Sequence, residues 1–426
     1  MKTLAVLLTT LLPLMVACSS NDDGKELEVK GKGVDPVGKI EVPVTPGVVE
    51  LTDSQRVMVK QGNEFSFHLL QTVNNVAEGS YVMSPLSVGY VLGMLNNAAD
   101  EQSRQEIMQV LGFGDATPQA VNDYFSNMLV NAPGLDDDVT LEVSNAIFGN
   151  SARGIQFTND FTALMEGYYQ AGIESLDFTD VEATLGRING WSKEKSHGMI
   201  PQILDEISSG ALTYLLNAVY FNAPWTNEFN GDSHPETFYT LGGTKQLPMM
   251  HTTDRMYYTE SEDIKMVCKS YANGKFRMAV LLPANGGSAD GLVNSLTATR
   301  WQQLVESMNL ETVMMSMPSF NSKTDIDLIP VMKAMGMNHV FDGGDFSSML
   351  VNGGGAVLTM LKQKAAINVT EKGTEASAVT IGGVETCANP DDKPEYIIFN
   401  ANSPFVYVLF EQTTGAIFFM GKFTGE

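Results

Sequence analysis

Basic residues are scarce: 26 Lys and Arg stand against 50 Asp and Glu in 426 residues, a formal net charge of −24. A surface of that sign repels phosphate backbones, which excludes nucleic acid as a partner. Cysteine is scarcer still, with only Cys18, Cys268 and Cys387. No disulfide framework is available, and no Cys or Cys/His spacing suggests structural zinc. His68, His197, His234, His251 and His339 are scattered, and Gly-x-x-x-x-Gly-Lys-Ser/Thr, Gly-x-Ser-x-Gly and His-Glu-x-x-His are all missing. Asp345 and Ser347 stand close together, but no histidine has a spacing that implies a triad. With no such constellation, the chain reads as a non-enzyme that needs no cofactor and no metal.

Hydrophobic residues make up 43% of the chain, a globular share, and the 24 methionines read as core filler. Residues 1–17 carry Lys2 and then an apolar run ending in small residues, the pattern of a signal segment. It falls short of the roughly 20 apolar residues of a membrane span, and no later run reaches that length. Met15-Val-Ala-Cys18 resembles the lipobox of bacterial lipoproteins, with Met15 where Leu is usual, which implies cleavage before Cys18 and its lipidation. Asn21-Asp22-Asp23 resembles an acidic surface-export signal. The expected location is therefore the outer membrane, at the cell surface, with periplasm or secretion as the alternative. Residues 18–52, polar and rich in Gly, Pro and Val without a sustained period, read as a tether.

The body, residues 53–426, changes texture midway. Helical spacing marks 54–77, 84–97, 103–111, 120–130, 160–169 and 183–196, with Pro85 in a first turn where helices tolerate it. From about Leu212 strand-favouring segments take over, ending in an apolar pair joined by Gln412-Thr-Thr-Gly415, a hairpin signal. A helical half followed by a strand-rich half implies an α+β fold with antiparallel or mixed sheets.

One stretch, Lys364 to Asn389, fits two states. At period 2, Thr374, Ala376, Ala378, Thr380, Gly382, Val384 and Thr386 form an uncharged face of small and medium side chains, while Glu371, Glu375 and Glu385 share the other. Such a strand suits a sheet buried on one side. Gly373, Gly382-Gly383 and the following Asn-Pro-Asp-Asp are features of an exposed loop. Pattern alone leaves strand and loop open.

Glu371-Lys-Gly-Thr-Glu-Ala-Ser-Ala378 resembles the hinge of inhibitory serpins, and Phe399-Asn-Ala-Asn-Ser-Pro-Phe-Val-Tyr-Val-Leu409 is similar to that family's C-terminal signature. Asn63-Glu-Phe-Ser-Phe67, Ser84-Pro-Leu-Ser87, Ile188-Asn-Gly-Trp191 with Gly198-Met-Ile200, Asn217-Ala-Val-Tyr-Phe-Asn-Ala-Pro-Trp225, Ala334-Met-Gly-Met337 and Asp345-Phe-Ser347 match in the same order. The resemblance implies three β-sheets, eight or nine helices and an exposed reactive loop. It also implies a mechanism: a target protease attacks the loop, forms an acyl-enzyme and is trapped when the severed loop inserts into the main sheet. The hinge would comprise Glu371, Gly373, Thr374, Glu375, Ala376, Ser377 and Ala378. Family spacing puts the reactive bond between Cys387 and Ala388, with Val384 and Thr386 as alternatives. From Gly373 to Cys387 an extended strand spans roughly 46 Å.

Small residues around that bond and no Lys or Arg between Gly373 and Asp392 imply an elastase-like serine protease as first target and a papain-like cysteine protease as second. Ser84, Ser87 and Asn217 match the polar cluster beneath the family's sheet opening; Gln363 stands where many relatives have His, and Ser80 where many have Asn. A monomer is expected. The alternative is a non-inhibitory serpin-fold surface binding or carrier protein, whose hinge would carry bulky or charged residues on the inserting face.

Overall fold

The computed structural model describes residues 47–114, 116–353, 355–374 and 396–426. Among them are ten α-helices: α1 (Asp53–Asn74), α2 (Pro85–Asn96), α3 (Glu101–Val110), α4 (Pro118–Asn131), α5 (Asn159–Tyr169), α6 (Val181–Lys195), α7 (Ala289–Ser295), α8 (Ala298–Ser307), α9 (Leu328–Ala334) and the single turn α10 (His339–Asp342). The strands are β1 (Tyr81–Met83), β2 (Thr140–Asn150), β3 (Gly172–Leu176), β4 (Thr213–Pro224), β5 (His234–Thr240), β6 (Gly243–Glu260), β7 (Ile264–Ser270), β8 (Phe276–Pro283), β9 (Asn309–Pro318), β10 (Phe320–Asp327), β11 (Lys362–Val369), β12 (Gly373–Thr374), β13 (Ile397–Asn400), β14 (Phe405–Glu411) and β15 (Ile417–Phe423).

Caps written in the sequence start the helices. Thr52 and Gln55 form a reciprocal capping box on α1. Ser84 caps α2, its hydroxyl accepting from the Ser87 amide, and Pro85 follows at a position that needs no amide donor. The closing hairpin is fastened by Glu411, a fully buried carboxylate that accepts from the amides and hydroxyls of Thr413 and Thr414. Every residue of β14 and β15 is buried, which fits their mainly apolar sequence; the two charged residues within them, Glu411 and Lys422, are buried too.

The fold is α+β. One sheet has the order β10-β11-β12-β4-β2-β3. The other has nine strands, with the path β1-β15-β14-β8-β7-β6-β9-β13 and β5 on β6. The three expected sheets thus appear as one six-stranded sheet and one nine-stranded sheet whose two lobes share the 18-residue β6. The main core includes residues from both sheets and from α1, α2 and α4. A second cluster, including Phe148, Ile188, Trp191, Leu204, Tyr214 and Ala218, joins α6 and the connection after it to β2 and β4. Among the described residues packing begins at Val49, 6% exposed, with Leu51 against the same core, inside the segment that composition assigns to the tether; so short an apolar stretch carries no period to reveal it.

Candidate functional site

The chain reverses sharply after β11. Thr370 donates its amide to the Gly373 carbonyl at 2.8 Å and its hydroxyl to the same oxygen at 3.0 Å. The returning residues, β12, form a wedge between the two central strands: Thr374 pairs with Val369 of β11 and Ala223 of β4, and Gly373 with Pro224. Glycine is required at 373 because a Cβ there would overlap the Ala223 carbonyl oxygen. Thr374 is 2% exposed, and its hydroxyl meets that of Tyr271 at 2.5 Å.

Aromatic side chains fix the turn from the β4 side. Tyr271 stacks on Trp225 with ring centres 4.2 Å apart, and the Trp225 indole donates to the Thr370 carbonyl at 2.9 Å. The amides of Trp225 and Phe229 donate to the carbonyls of Lys372 and Glu371. Burial tends to raise the Glu371 carboxyl, but hydrogen bonds from its own amide and from Ser233 outweigh it and hold the group below its usual range. Lys269 is 2% exposed; its ammonium has no hydrogen-bond partner and lies 4.7 Å from the Phe229 ring and 5.7 Å from Trp225. Burial pushes that lysine down to about 8, with Asp254 opposing.

Below the wedge, no ladder joins β4 to β11 among the described residues. A cavity of about 500 Å³ is lined there by Tyr214, Leu216 and Asn217 of β4 and by Leu361, Gln363 and Lys364 beside and within β11. A void of about 10 Å³ lies nearer the wedge, lined by Val219, Phe221, Ile367 and Thr374. The polar residues meet here in two groups rather than one. Among the described residues the Gln363 side chain binds the backbone of Ser84, donating to its carbonyl at 2.8 Å and accepting from its amide at 3.3 Å. Asn217 donates to Asn145, which donates to the Tyr169 carbonyl, and the Asn217 side-chain oxygen is left without a partner. At the level of Gln363, Asp205, in the connection between α6 and β4, accepts from Lys364 at 2.8 Å and Lys362 at 3.4 Å, and Lys364 also meets Asp325 at 3.0 Å. The Lys364 bond holds the Asp205 carboxyl below its usual range.

Of the residues singled out from sequence, Glu371, Gly373 and Thr374 sit in this turn and wedge, and Ser84, Ser87, Asn217 and Gln363 lie at or beside the cavity. Glu375, Ala376, Ser377, Ala378, Val384, Thr386, Cys387, Ala388 and Cys18 lie outside the described residues. Cys268 is a buried free thiol, pushed up to about 12 by burial. Sequence reasoning missed Tyr271, Asn145, Lys269 and Asp205, none of which stands at a diagnostic spacing. Among the described residues no group of His, Cys, Asp and Glu could hold a metal, and no helix is long and apolar enough to cross a membrane.

The family model described as Serpin (serine protease inhibitor) matches residues 60–425. An uncharacterized serpin-like protein of Thermococcus kodakarensis is 28% identical over 387 residues, covering 89% of this chain and 88% of its own. Tengpin, a thermophilic serpin solved in the native state, superimposes with a TM-score of 0.79 at 24% identity, over 91% of this chain and 98% of that one. Thyroxine-binding globulin, solved with thyroxine, gives 0.77 at 22% identity, over 86% and 98%.

Proposed function

Because the chain belongs to the serpin family, and so is not an enzyme, we propose that it is an irreversible suicide inhibitor of endopeptidases that traps the acyl-enzyme by inserting its cleaved loop between β4 and β11. The wedge carries this reading: insertion has a defined starting rung at Thr374. Each residue further along the loop moves one step back along both neighbours. In that register Ala376 falls between Phe221 and Ile367, Ala378 between Val219 and Ala365, and Thr380 between Asn217 and Gln363. Several of these neighbours line the two cavities, and the unpartnered Asn217 oxygen would accept from the Thr380 hydroxyl. Val384 falls opposite Thr213, the first residue of β4, so cleavage at Cys387–Ala388 would free enough chain to fill the strand.

Elastase-like serine proteases are the first proposed targets and papain-like cysteine proteases the second, supported by the small residues Val384, Thr386, Cys387 and Ala388. The signal segment of residues 1–17, lipidation of Cys18, the tether to about residue 52 and display at the cell surface complete the proposal, on the sequence pattern alone. Incubation with elastase, chymotrypsin, trypsin and papain tests it: a complex that survives denaturing electrophoresis is expected with elastase. Clean cleavage by all four without a complex rejects trapping. Mass spectrometry of the released C-terminal peptide fixes the bond.

The second reading is a serpin-fold carrier or surface binding protein. It is favoured by the cavity of about 500 Å³ in a chain whose fold resembles that of thyroxine-binding globulin. The same incubation separates the two.

A further inference from the structure

The cavity between β4 and β11 has a chemistry of its own. Its volume of about 500 Å³ falls within the roughly 300–1,000 Å³ of small-molecule sites. Most of its wall is apolar, as with Val91 and Leu95 of α2, Leu216 of β4, and Phe346, Leu358 and Met360 ahead of β11. Among the described residues that line it none is Asp or Glu, in a chain that carries 50 of them. Asp205 and Glu206 stand in the connection after α6, yet neither lines the cavity.

Polar groups stand at two separate levels of this wall. Arg153 lines the foot, just past β2, where the Asn150 amide donates to the Leu212 carbonyl. It is exposed and, among the described residues, makes no side-chain hydrogen bond or ion pair. The other cations of the wall, Lys362 and Lys364, are already held by Asp205. Higher up, Asn217 is 8% exposed and its side-chain oxygen has no partner; the Thr213 hydroxyl at the foot is also buried and unpartnered. Four steps of β4 separate Thr213 from Asn217, a rise of roughly 13 Å. A buried acceptor that lacks a donor costs free energy until a donor arrives. The cavity thus offers an apolar shaft with a cation at its mouth and an unmet acceptor at depth.

We propose that this cavity binds an amphipathic carboxylate: an apolar chain with its anionic head at Arg153 and a hydroxyl donating to the Asn217 oxygen. The proposal deepens the carrier reading, and rests on it, by naming the class of ligand. An anion is repelled by most of this acidic surface, so a carboxylate-free wall with an unengaged guanidinium is where charge favours one.

Calorimetric titration of the full, uncut chain with ω-hydroxydecanoate, decanoate, decanol and decylamine, each as monomer, tests it. One site is expected, with ω-hydroxydecanoate binding about 10-fold more tightly than decanol and decylamine binding most weakly. Decanoate should bind no more tightly than its hydroxylated form, because a hydroxyl buried without a partner would weaken binding. Arg153→Gln is expected to weaken both carboxylates about 3-fold and leave decanol unchanged. Arg56→Gln, the same charge change on α1 away from the cavity, should alter none of them. Decanol or decylamine binding as tightly as the carboxylates, or equal effects of the two arginine variants, overturns the anionic head while leaving a carrier of some other ligand. Decanoate binding more tightly than ω-hydroxydecanoate overturns the hydroxyl contact. No binding by any probe overturns the proposal and removes the cavity as support for a carrier. Failure of the carrier reading itself shows separately, as a covalent complex in the electrophoresis.

Discussion

At the scale of single residues, the wedge depends on two positions, 373 and 374. Gly373 lets the backbone lie against Ala223, and Thr374 places one hydroxyl where Tyr271 can meet it. Arg at 374 would bury an unpaired charge, a cost of several kcal/mol, so Thr374→Arg should turn the inhibitor into a substrate. Electrophoresis after incubation with elastase should then show cleaved chain and no covalent complex. Lys269 offers a second residue-scale outcome. Its folded value of about 8 lies below the roughly 10.4 of an exposed lysine, so the unfolded chain binds more protons between those limits. The penalty is complete below pH 8 and fades as pH rises toward 10.4. Lys269→Met should remove it, raising stability at pH 7 by about 1–3 kcal/mol and flattening the rise of the unfolding midpoint above pH 8. The hinge composition was legible as residue types, but Lys269 was not: nothing in Cys268-Lys-Ser-Tyr271 announces that the ammonium faces aromatic rings rather than water.

At the scale of elements, most of the frame was legible because period and caps speak locally. α1, α2 and α6 begin within about two residues of their apolar spacing signals, and the last two strands stand at the hairpin that Gln412-Thr-Thr-Gly415 announces. β2 was not legible. It lies in the stretch that reads as mostly helical, and its polar Asn145 and Asn150 are buried on hydrogen bonds to distant carbonyls, a pairing that only the assembled sheet supplies. The polar cluster was read as one group by resemblance; Gln363 turns to the Ser84 backbone instead and leaves Asn217 to β2. Across this seam the ion pairs of Asp205 hold β11 to the connection after α6. The carboxyl is held low, so the pairs persist above about pH 4 and are lost as pH falls further through its folded value. Asp205→Asn should imitate that loss at pH 7. Since a half-exposed pair contributes about 0.2–1 kcal/mol, spontaneous loss of trapping activity on storage should accelerate by up to about 5-fold. The parent should show the same acceleration below pH 4, and identical decay of both proteins at pH 7 would count against a restraining role.

At the scale of the whole molecule, the net charge of −24 acts on encounter rather than on fold. Association with a cationic protease should slow as salt rises from about 0.05 to 0.5 M, because the Debye length shrinks from roughly 14 to 4 Å. Stopped-flow rates measure this, and a flat salt profile would remove acidity from the recognition step. The six-stranded sheet is divided along one line. On one side β4 and β2 pack against α6 and carry β3 at their edge; on the other β11 and β10 are tied to the start of α2 through Gln363. That division leaves a chemical record. Alternate amides of β4 and β11 that face each other below Thr374 have no ladder to shield them among the described residues, so they should take up deuterium quickly in the uncut chain. Once a strand fills the seam they should become some of the slowest to exchange. The isotope pattern of two peptides, 213–221 and 362–368, would then report whether a given molecule has fired.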